Sequence, residues 1–359
     1  MAAGNTAEAA PSSRSLPVDN VQALAANLGT SSDIPPRYIR PEAESVIIHH
    51  AAEEIPVIDF DKLHDPELCH AESSKLDLAC QHWGFFQLIN HGVPKEVMER
   101  MMLDVEGFFK LPLEEKLVIK QPPGEIEGYG QLFVISDEQK LDWADLLHFY
   151  TSPLHLRKMG LWPTKPATFR DALDKYMLEV KKVVDCLLGF VAQNLGLDTS
   201  KLTAMFENGM QSVRINYYPP CPQAEKVLGL SPHSDASCLT LVLQVNDVQG
   251  LQIRKNDKWV PVKPLPGAFV VNVGDLLEIL SNGKYRSIEH RAVTNTERER
   301  MSVAAFHSPS TDATLGPHPD LVKGGEPRYK SVNHETLLEL FFSSKLDGKG
   351  FLDCMKLNK

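Results

Sequence analysis

The sequence predicts an α+β fold in which helices come first, a β-rich core follows and a helical tail ends the chain. Apolar residues recur at helical spacing from Phe169 to Leu195, which is the longest helical pattern in the sequence. After about residue 210, short runs rich in β-branched and aromatic residues alternate with turn residues such as Asn282-Gly283. Many short strands at this spacing are typical of a β-sandwich or a barrel.

The region before the long helix mixes strands and helices. A flexible tail of about 15 residues is expected first, then a helix at Val21 to Leu28 and an extended arm. From Ile55, IPVIDF alternates like a strand, and the helix after it, Glu67 to Trp83, ends at Gly84. GFFQLIN then predicts a buried strand, followed by a helix with apolar residues recurring from Val97 to Phe109.

The second half of the chain carries the predicted strands. They are SVRINYY, LTLVLQ, LQIR, WVPV, AFVVNV, YRSIEHRAV and RMSVAAF. A short helix at Leu276 to Ser281 interrupts them, and Asn333 to Leu346 is predicted to be helical. We therefore expect five regions, at residues 1–54, 55–165, 166–207, 208–310 and 311–359.

Composition limits the classes of function. Hydrophobic residues make up 43% and charged residues 23% of the 359, as in ordinary globular proteins. The net charge of −10 and the absence of a basic run argue against nucleic acid or an anionic membrane as the main partner. Six scattered cysteines without a Cys-x-x-Cys pair indicate reduced thiols, and no signal peptide or membrane span is visible. We expect a cytosolic, monomeric enzyme that acts on a small molecule.

Three residues could hold a metal ion. His233 and Asp235 precede a strong strand, and in an extended segment residues two apart point the same way. His290 lies on another predicted strand. Two imidazoles and one carboxylate on one face of a metal are typical of non-haem iron(II) oxygenases, although each piece alone is weak.

A second cluster makes the first more specific. Strand alternation in RERMSVAAF puts Arg298, Arg300, Ser302, Ala304 and Phe306 on one face, a pattern that suits a pocket floor better than open solvent. A planar guanidinium beside a hydroxyl can hold a small carboxylate at two points.

With these residues in this order, the sequence resembles the plant 2-oxoglutarate/iron(II)-dependent dioxygenase superfamily. Further shared motifs extend from Ile55 to Pro309, among them WGFFQLINHG, NYYPPCPQ, GLSPHSD and LSNGKYRSIEHRAV. The resemblance is greatest to the branch with flavonoid-oxidising, codeine O-demethylase-like, norcoclaurine-synthase-like and lateral-branching oxidoreductase enzymes. It implies a distorted double-stranded β-helix, or jelly-roll, core flanked by helices. It also implies that residues 55–165 are an N-terminal dioxygenase region and that residues 208–310 bind iron and 2-oxoglutarate.

The resemblance also implies roles for the matching residues. His233, Asp235 and His290 would bind Fe(II) and form the catalytic centre. Arg300, Ser302 and Tyr218 would hold 2-oxoglutarate, with Asn216 as a further neighbour. The implied reaction uses O2, with ascorbate in support, and couples decarboxylation of 2-oxoglutarate to hydroxylation, demethylation or desaturation of a substrate.

The substrate pocket is less visible in the sequence. Its expected lining residues are Phe306, Phe133, Leu146, Phe149, Phe341 and Phe342, with Leu338 also a candidate. Phe306 suits a pocket wall and a core position equally well, and the stripe near Phe341 also suits plain packing. The aromatic set favours a flat, hydrophobic plant metabolite or hormone as substrate.

Three alternatives stay open at the level of the sequence. An aminocyclopropanecarboxylate-oxidase-like enzyme shares the metal residues but forms no succinate. A zinc hydrolase could use the same ligands with a bound water. A catalytically silent metabolite-binding protein could keep the fold without turnover.

Overall fold

A computed structural model describes residues 15–28, 33–43, 54–323 and 325–357. The predicted flexible tail lies outside these ranges except for Ser15. The helices are α1 Val21–Leu28, α2 Phe60–His64, α3 Cys69–His82, α4 Lys95–Phe109, α5 Leu113–Lys116, α6 Phe169–Leu195, α7 Thr199–Ala204, α8 Asp275–Leu280, α9 His334–Phe342 and α10 Gly350–Met355.

The strands form two principal sheets and a short hairpin-like pair. They are β1 Val57–Asp59, β2 Phe85–Ile89, β3 Gly128–Gly130, β4 Asp145–Ser152, β5 Met210–Tyr218, β6 Leu230–His233, β7 Leu239–Gln244, β8 Leu251–Lys255, β9 Lys258–Pro261, β10 Phe269–Val273, β11 His290–Ala292, β12 Arg300–Ser308, β13 Thr314–Leu315 and β14 Val332–Asn333. The larger sheet has the order β1-β2-β10-β7-β12-β5-β4-β3, and the smaller has the order β6-β11-β8-β9.

The larger sheet is covered on both faces. On its outer face, α6 packs against α3, α4 and β12, and the side chains between them form the main hydrophobic core. On its inner face, Phe85 and Val270 pack against Ile253 and Val260 of the smaller sheet. Strands buried on both faces carry continuous apolar runs, which explains why FVVNV of β10 does not alternate. The two sheets with their helical cover agree with the expected jelly-roll core.

Strand β4 is an element that the sequence analysis missed, and it corrects one expected pocket residue. Its even-numbered residues, from Leu146 onward, point to the inner face, and the odd-numbered residues point to the helices. Phe149 is therefore fully buried in the main core, with its ring 5.8 Å from that of Trp162. The expectation that Phe149 lines the substrate pocket is wrong because the strand turns it to the opposite face.

The strand predicted over YRSIEHRAV is much shorter in the structure. Only His290–Ala292 pairs as a strand, between β6 and β8. The residues before it contact α3 instead, because Arg286 N–H donates to the Cys80 carbonyl and the Tyr285 hydroxyl donates to Asp77 Oδ1. These tertiary contacts shorten the strand from its amino-terminal side.

The tail after α9 returns to the smaller sheet. The predicted helix at Asn333 to Leu346 ends at Phe342, and the chain then runs beside β6. Gly348 donates to the Pro232 carbonyl at 2.9 Å and accepts from Ser234 N–H at 3.1 Å. Lys349 Nζ lies 3.1 Å from Oε2 of the buried Glu278. These contacts hold the tail next to His233 and lead into α10, which was not predicted.

None of the helices in the described ranges combines the length and the hydrophobicity that a membrane span requires.

The loop that carries Asp235 depends on a close approach by Gly274. Asp275 N–H donates to the Asp235 carbonyl at 2.7 Å, and a Cβ at Gly274 would lie 2.0 Å from the Ser237 carbonyl oxygen. We predict that Gly274→Ala lowers the free energy of unfolding by at least the usual cost of overpacking, which is about 1–3 kcal/mol. Urea denaturation measures the change.

Gly160→Ala is the matched control, because nothing lies within 4 Å of a Cβ built there. Equal stability of the two variants would contradict the close packing at Gly274.

Candidate active site

Three ligand-type side chains meet between the ends of β6 and β11. His233 ends β6, Asp235 follows two residues later, and His290 begins β11 directly opposite His233. The Nε2 atoms of His233 and His290 lie 3.4 and 3.6 Å from Asp235 Oδ1. All three side chains are buried, and their ligand atoms lie within 4.8 Å of one another.

Backbone carbonyls determine which imidazole nitrogens face the cluster. His233 Nδ1 lies 2.8 Å from the Ser231 carbonyl, and His290 Nδ1 lies 3.1 Å from that of Ile288. A carbonyl only accepts, so each Nδ1 carries a hydrogen and donates it, which leaves each Nε2 facing Asp235. Burial and the neighbouring His233 lower the pKa of His290 to about 4, so this imidazole is neutral at pH 7.

The carboxylate of Asp235 is held by two side chains of the larger sheet. Its Oδ2 accepts from Thr240 Oγ1 at 2.7 Å and from Asn272 Nδ2 at 2.8 Å. Burial raises the pKa of Asp235, but the two histidines and Asn272 outweigh that effect and hold the pKa below its usual range. The ionised Asp235 oxygen and the Nε2 atoms of both histidines thus converge on one point. A divalent cation fits this donor set, because it compensates a buried charge that is otherwise costly.

A second polar cluster lies on β12 and β5. Arg300 pairs in register with Tyr218, and Ser302 pairs with Asn216. Arg300 is 3% exposed, its Nη2 donates to Gln244 Oε1 at 3.0 Å, and its guanidinium carbon lies 5.2 Å from the centre of the Tyr218 ring. Its Nε has no hydrogen-bond partner, and no carboxylate in the described part of the chain forms an ion pair with it. A buried guanidinium in this state fits an anionic ligand.

Both clusters line one cavity. Its walls include the residues of the His233 cluster together with Arg300, Ser302, Tyr218 and Asn216. Asn216 Nδ2 donates to Ser302 Oγ at 3.4 Å, so the amide orients the hydroxyl. The structure thus brings together every residue that the sequence analysis expected around the metal and the cosubstrate.

Three supporting residues were missed in the sequence. Thr240 and Asn272 hold Asp235, and Gln244 holds Arg300. Thr240 and Asn272 are polar residues inside otherwise apolar strands, and that interruption was a usable signal, whereas Gln244 ends its strand. Buried polar groups of this kind are retained when they have hydrogen-bond partners.

A second cavity adjoins the first and contains the aromatic residues. Phe306, Phe133, Phe341 and Phe342 line it beside His233 and Asp235, as does Leu338. Leu146 does not line it but packs behind Phe133 in the same apolar cluster. The Phe133 and Phe342 rings stack with their centres 5.8 Å apart. Phe341 and Phe342 of α9 form one wall of this cavity, whose volume is about 70 Å³.

Two polar residues of the aromatic cavity were not expected. His148 and Arg214 pair across β4 and β5 and line the cavity beside Phe306. Strand alternation could have identified Arg214, because it shares the face of Asn216 and Tyr218. His148 could not be recognised until β4 itself was known.

Comparisons with known proteins agree with this geometry. Residues 209–309 match the family model described as the 2OG-Fe(II) oxygenase superfamily, and residues 55–165 match the model of the non-haem dioxygenase in morphine synthesis N-terminal region. Oxoglutarate-dependent flavonoid 7-O-demethylase 1 of Ocimum basilicum is 49% identical over 98% of this chain and 94% of its own length. S-norcoclaurine synthase 1 of Coptis japonica is 50% identical over 96% of this chain and 97% of its own length.

A solved structure extends the likeness to three dimensions. The crystal structure of JOX2 in complex with 2OG, Fe and JA has a TM-score of 0.87 and 36% identity, covering 96% of this chain and 99% of that one. The sequence relatives are similar over nearly their whole length. This chain therefore belongs to the 2OG-Fe(II) oxygenase superfamily and is a 2-oxoglutarate- and iron(II)-dependent oxidoreductase.

Proposed function

We propose specific roles for the residues of both clusters and a class of substrate. His233, Asp235 and His290 hold the iron. Arg300, with Ser302, Tyr218 and Asn216, holds 2-oxoglutarate. The substrate is a small, mostly hydrophobic, aromatic plant metabolite or hormone, which is hydroxylated, demethylated or desaturated.

The observation that carries the proposal is the convergence of the Nε2 atoms of His233 and His290 on one ionised carboxylate oxygen, 3.4 and 3.6 Å away. Iron(II) bound there supplies the activation of dioxygen that accompanies oxidative decarboxylation of 2-oxoglutarate to succinate and carbon dioxide. The protein supplies the geometry: Ser231 and Ile288 fix the imidazoles, and Thr240 and Asn272 fix the carboxylate.

Arg300 supports 2-oxoglutarate as the cosubstrate. Its guanidinium is buried in the cavity that His233, Asp235 and His290 also line. One carboxylate of a dicarboxylate ligand would provide the missing counter-charge. Gln244 and Tyr218 keep the guanidinium in place. The aminocyclopropanecarboxylate-oxidase-like alternative is not favoured, since the relatives include enzymes named as oxoglutarate-dependent.

The aromatic cavity supports the proposed substrate class. Phe306 lies on the same strand as Arg300 and Ser302, and it lines the cavity beside His233 and Asp235. A substrate packed on its ring would therefore be adjacent to the metal-binding residues. One relative is named as a flavonoid demethylase, and one similar structure was solved in complex with JA. Both support a small organic substrate. We also propose that the enzyme is a monomer and that it is cytosolic; its six free cysteines support the second point, because thiols stay reduced in the cytosol.

The direct test is oxygen-dependent formation of succinate by the purified protein with iron(II), 2-oxoglutarate and ascorbate. In a substrate screen, one succinate is expected per product. Asp235→Ala should lose the activity because only two ligands remain, whereas Asp171→Ala, at an exposed position of α6, should keep it. Turnover without succinate, or full activity of Asp235→Ala, would refute the proposed roles.

Thr240→Val tests how Asp235 is oriented. The variant removes the hydroxyl that donates to Oδ2 while keeping the volume, so the carboxylate can rotate away from the histidines. We predict an iron(II) dissociation constant about 10–100-fold higher, the usual effect of losing such a partner. Anaerobic titration with a competing chelator measures it.

Thr203→Val is the control, because that hydroxyl donates only to backbone carbonyls of α7. An unchanged affinity in Thr240→Val would mean that the hydroxyl does not position Asp235.

Arg300→Met tests the cosubstrate site. Losing a buried, charge-assisted contact costs at least about 2 kcal/mol, so we predict a KM for 2-oxoglutarate raised about 30-fold or more. Stability in urea should be unchanged or higher, because the variant removes a buried cation without a counter-charge.

Arg298→Met is the matched control, since Arg298 lies just before β12, is exposed and pairs with Asp247. A KM that rises equally in both variants would argue against a specific role of Arg300.

A further inference from the structure

His148 has one nitrogen without a partner, and it lies in the aromatic cavity. The residue is 3% exposed, lines the cavity and stands with its ring centre 6.1 Å from that of Phe342. Its Nδ1 lies 3.0 Å from the Ile126 carbonyl and must therefore carry the proton. Nε2 is then a hydrogen-bond acceptor, and among the described residues the His148 side chain makes its hydrogen bond through Nδ1 alone.

The charge state of His148 keeps this acceptor available. Burial lowers the pKa of His148 to about 4, despite the carbonyl at Nδ1. At neutral pH the imidazole is therefore uncharged, and its Nε2 lone pair is free. A cationic substrate group is not attracted to it, because Arg214 stands beside it.

Arg214 provides donors at the same place. It pairs with His148 across β4 and β5 and is 8% exposed. Its Nε donates to Asn216 Oδ1 at 2.7 Å, and no carboxylate of the described ranges forms an ion pair with it. Arg214 lines both the aromatic cavity and the cavity shared by Arg300 and the two histidines. Its remaining N–H groups are therefore available to a ligand. An acceptor and a cationic donor thus lie side by side in an otherwise aromatic wall.

We propose that His148 is a specificity-determining residue that accepts a hydrogen bond from a free phenolic or enolic hydroxyl of the substrate, while Arg214 donates to the same oxygen. The inference rests on the proposed function, because it concerns the substrate of that site. It narrows the substrate from aromatic metabolites in general to those that keep an unmethylated hydroxyl away from the carbon that is oxidised.

The chemistry of the pair discriminates between similar molecules. One hydroxyl oxygen can donate its hydrogen to Nε2 and accept from a guanidinium N–H at the same time. A methyl ether in that position has no hydrogen to donate, and it would leave Nε2 buried without a partner. An ammonium group would be repelled by Arg214. A site with buried polar groups rejects analogues that cannot pair with them.

The test is binding to the anaerobic holoenzyme loaded with iron(II) and 2-oxoglutarate. The probes are matched pairs that differ by one methyl group: monohydroxyflavones with the corresponding methoxyflavones, and naphthols with methoxynaphthalenes. Calorimetric titration should show that at least one hydroxylated probe binds about tenfold or more tightly than its ether. His148→Phe keeps the aromatic packing but should abolish that preference.

Two further variants separate the acceptor from general packing. His148→Gln retains an acceptor and should restore part of the preference, whereas His155→Phe, at an exposed position after β4, should leave it unchanged. If no hydroxylated probe is preferred by the wild type, or if His148→Phe retains the preference, the proposal is overturned.

The outcome is distinguishable from failure of the proposed function. Substrate-free conversion of 2-oxoglutarate to succinate needs the metal and cosubstrate residues, so the wild type and the His155→Phe control should show it at the same rate. Absence of that conversion in the wild type would refute the oxygenase roles, whereas the binding preference is measured without turnover.

Discussion

The two oxygens of the Asp235 carboxylate have different surroundings, and the active site depends on that difference. Oδ2 is bound by Thr240 of β7 and Asn272 of β10, both in the larger sheet. Oδ1 faces His233 and His290 on the smaller sheet. The carboxylate therefore connects the larger sheet to the smaller sheet, beside the two histidines. A charge buried in this way costs several kcal/mol unless it is compensated, which makes a cation an integral part of the site.

The inner face of the larger sheet changes character along its strands. On β12, Arg300 and Ser302 form a polar end, Ala304 leaves space in the middle, and Phe306 lies further along the same face. On β5, which pairs antiparallel with β12, Tyr218 and Asn216 lie opposite Arg300 and Ser302, and Arg214 lies opposite Ala304. This arrangement puts the buried Arg300 towards one end of the inner face and the aromatic Phe306 towards the other, with Arg214 reaching both cavities.

Much of this arrangement could be predicted from local sequence. Strand alternation placed Arg300, Ser302 and Phe306 on one face, and the spacing of His233 and Asp235 indicated a shared direction. The long helix has the predicted limits, Phe169–Leu195, because its apolar stripe and Gly196 act locally. Such features depend on neighbours in the chain, so the sequence alone carries them.

The features that were missed depend on tertiary contacts. Strand β4 mixes polar and apolar residues because one face meets the helices and the other meets the cavity, so its pattern resembles neither a buried strand nor an exposed one. Without that strand, Phe149 could not be assigned to the core, nor His148 to the cavity. The strand around His290 is short because the preceding residues contact α3. Contacts between residues distant in sequence leave little periodic signal.

The most direct measurement of the central claim is anomalous diffraction at the iron absorption edge from crystals of the protein prepared anaerobically with iron(II). The account predicts one strong peak per chain, bonded to Nε2 of His233, Nε2 of His290 and Oδ1 of Asp235, with Oδ2 still accepting from Thr240 and Asn272. A peak elsewhere, or iron bonded through Oδ2, would contradict it.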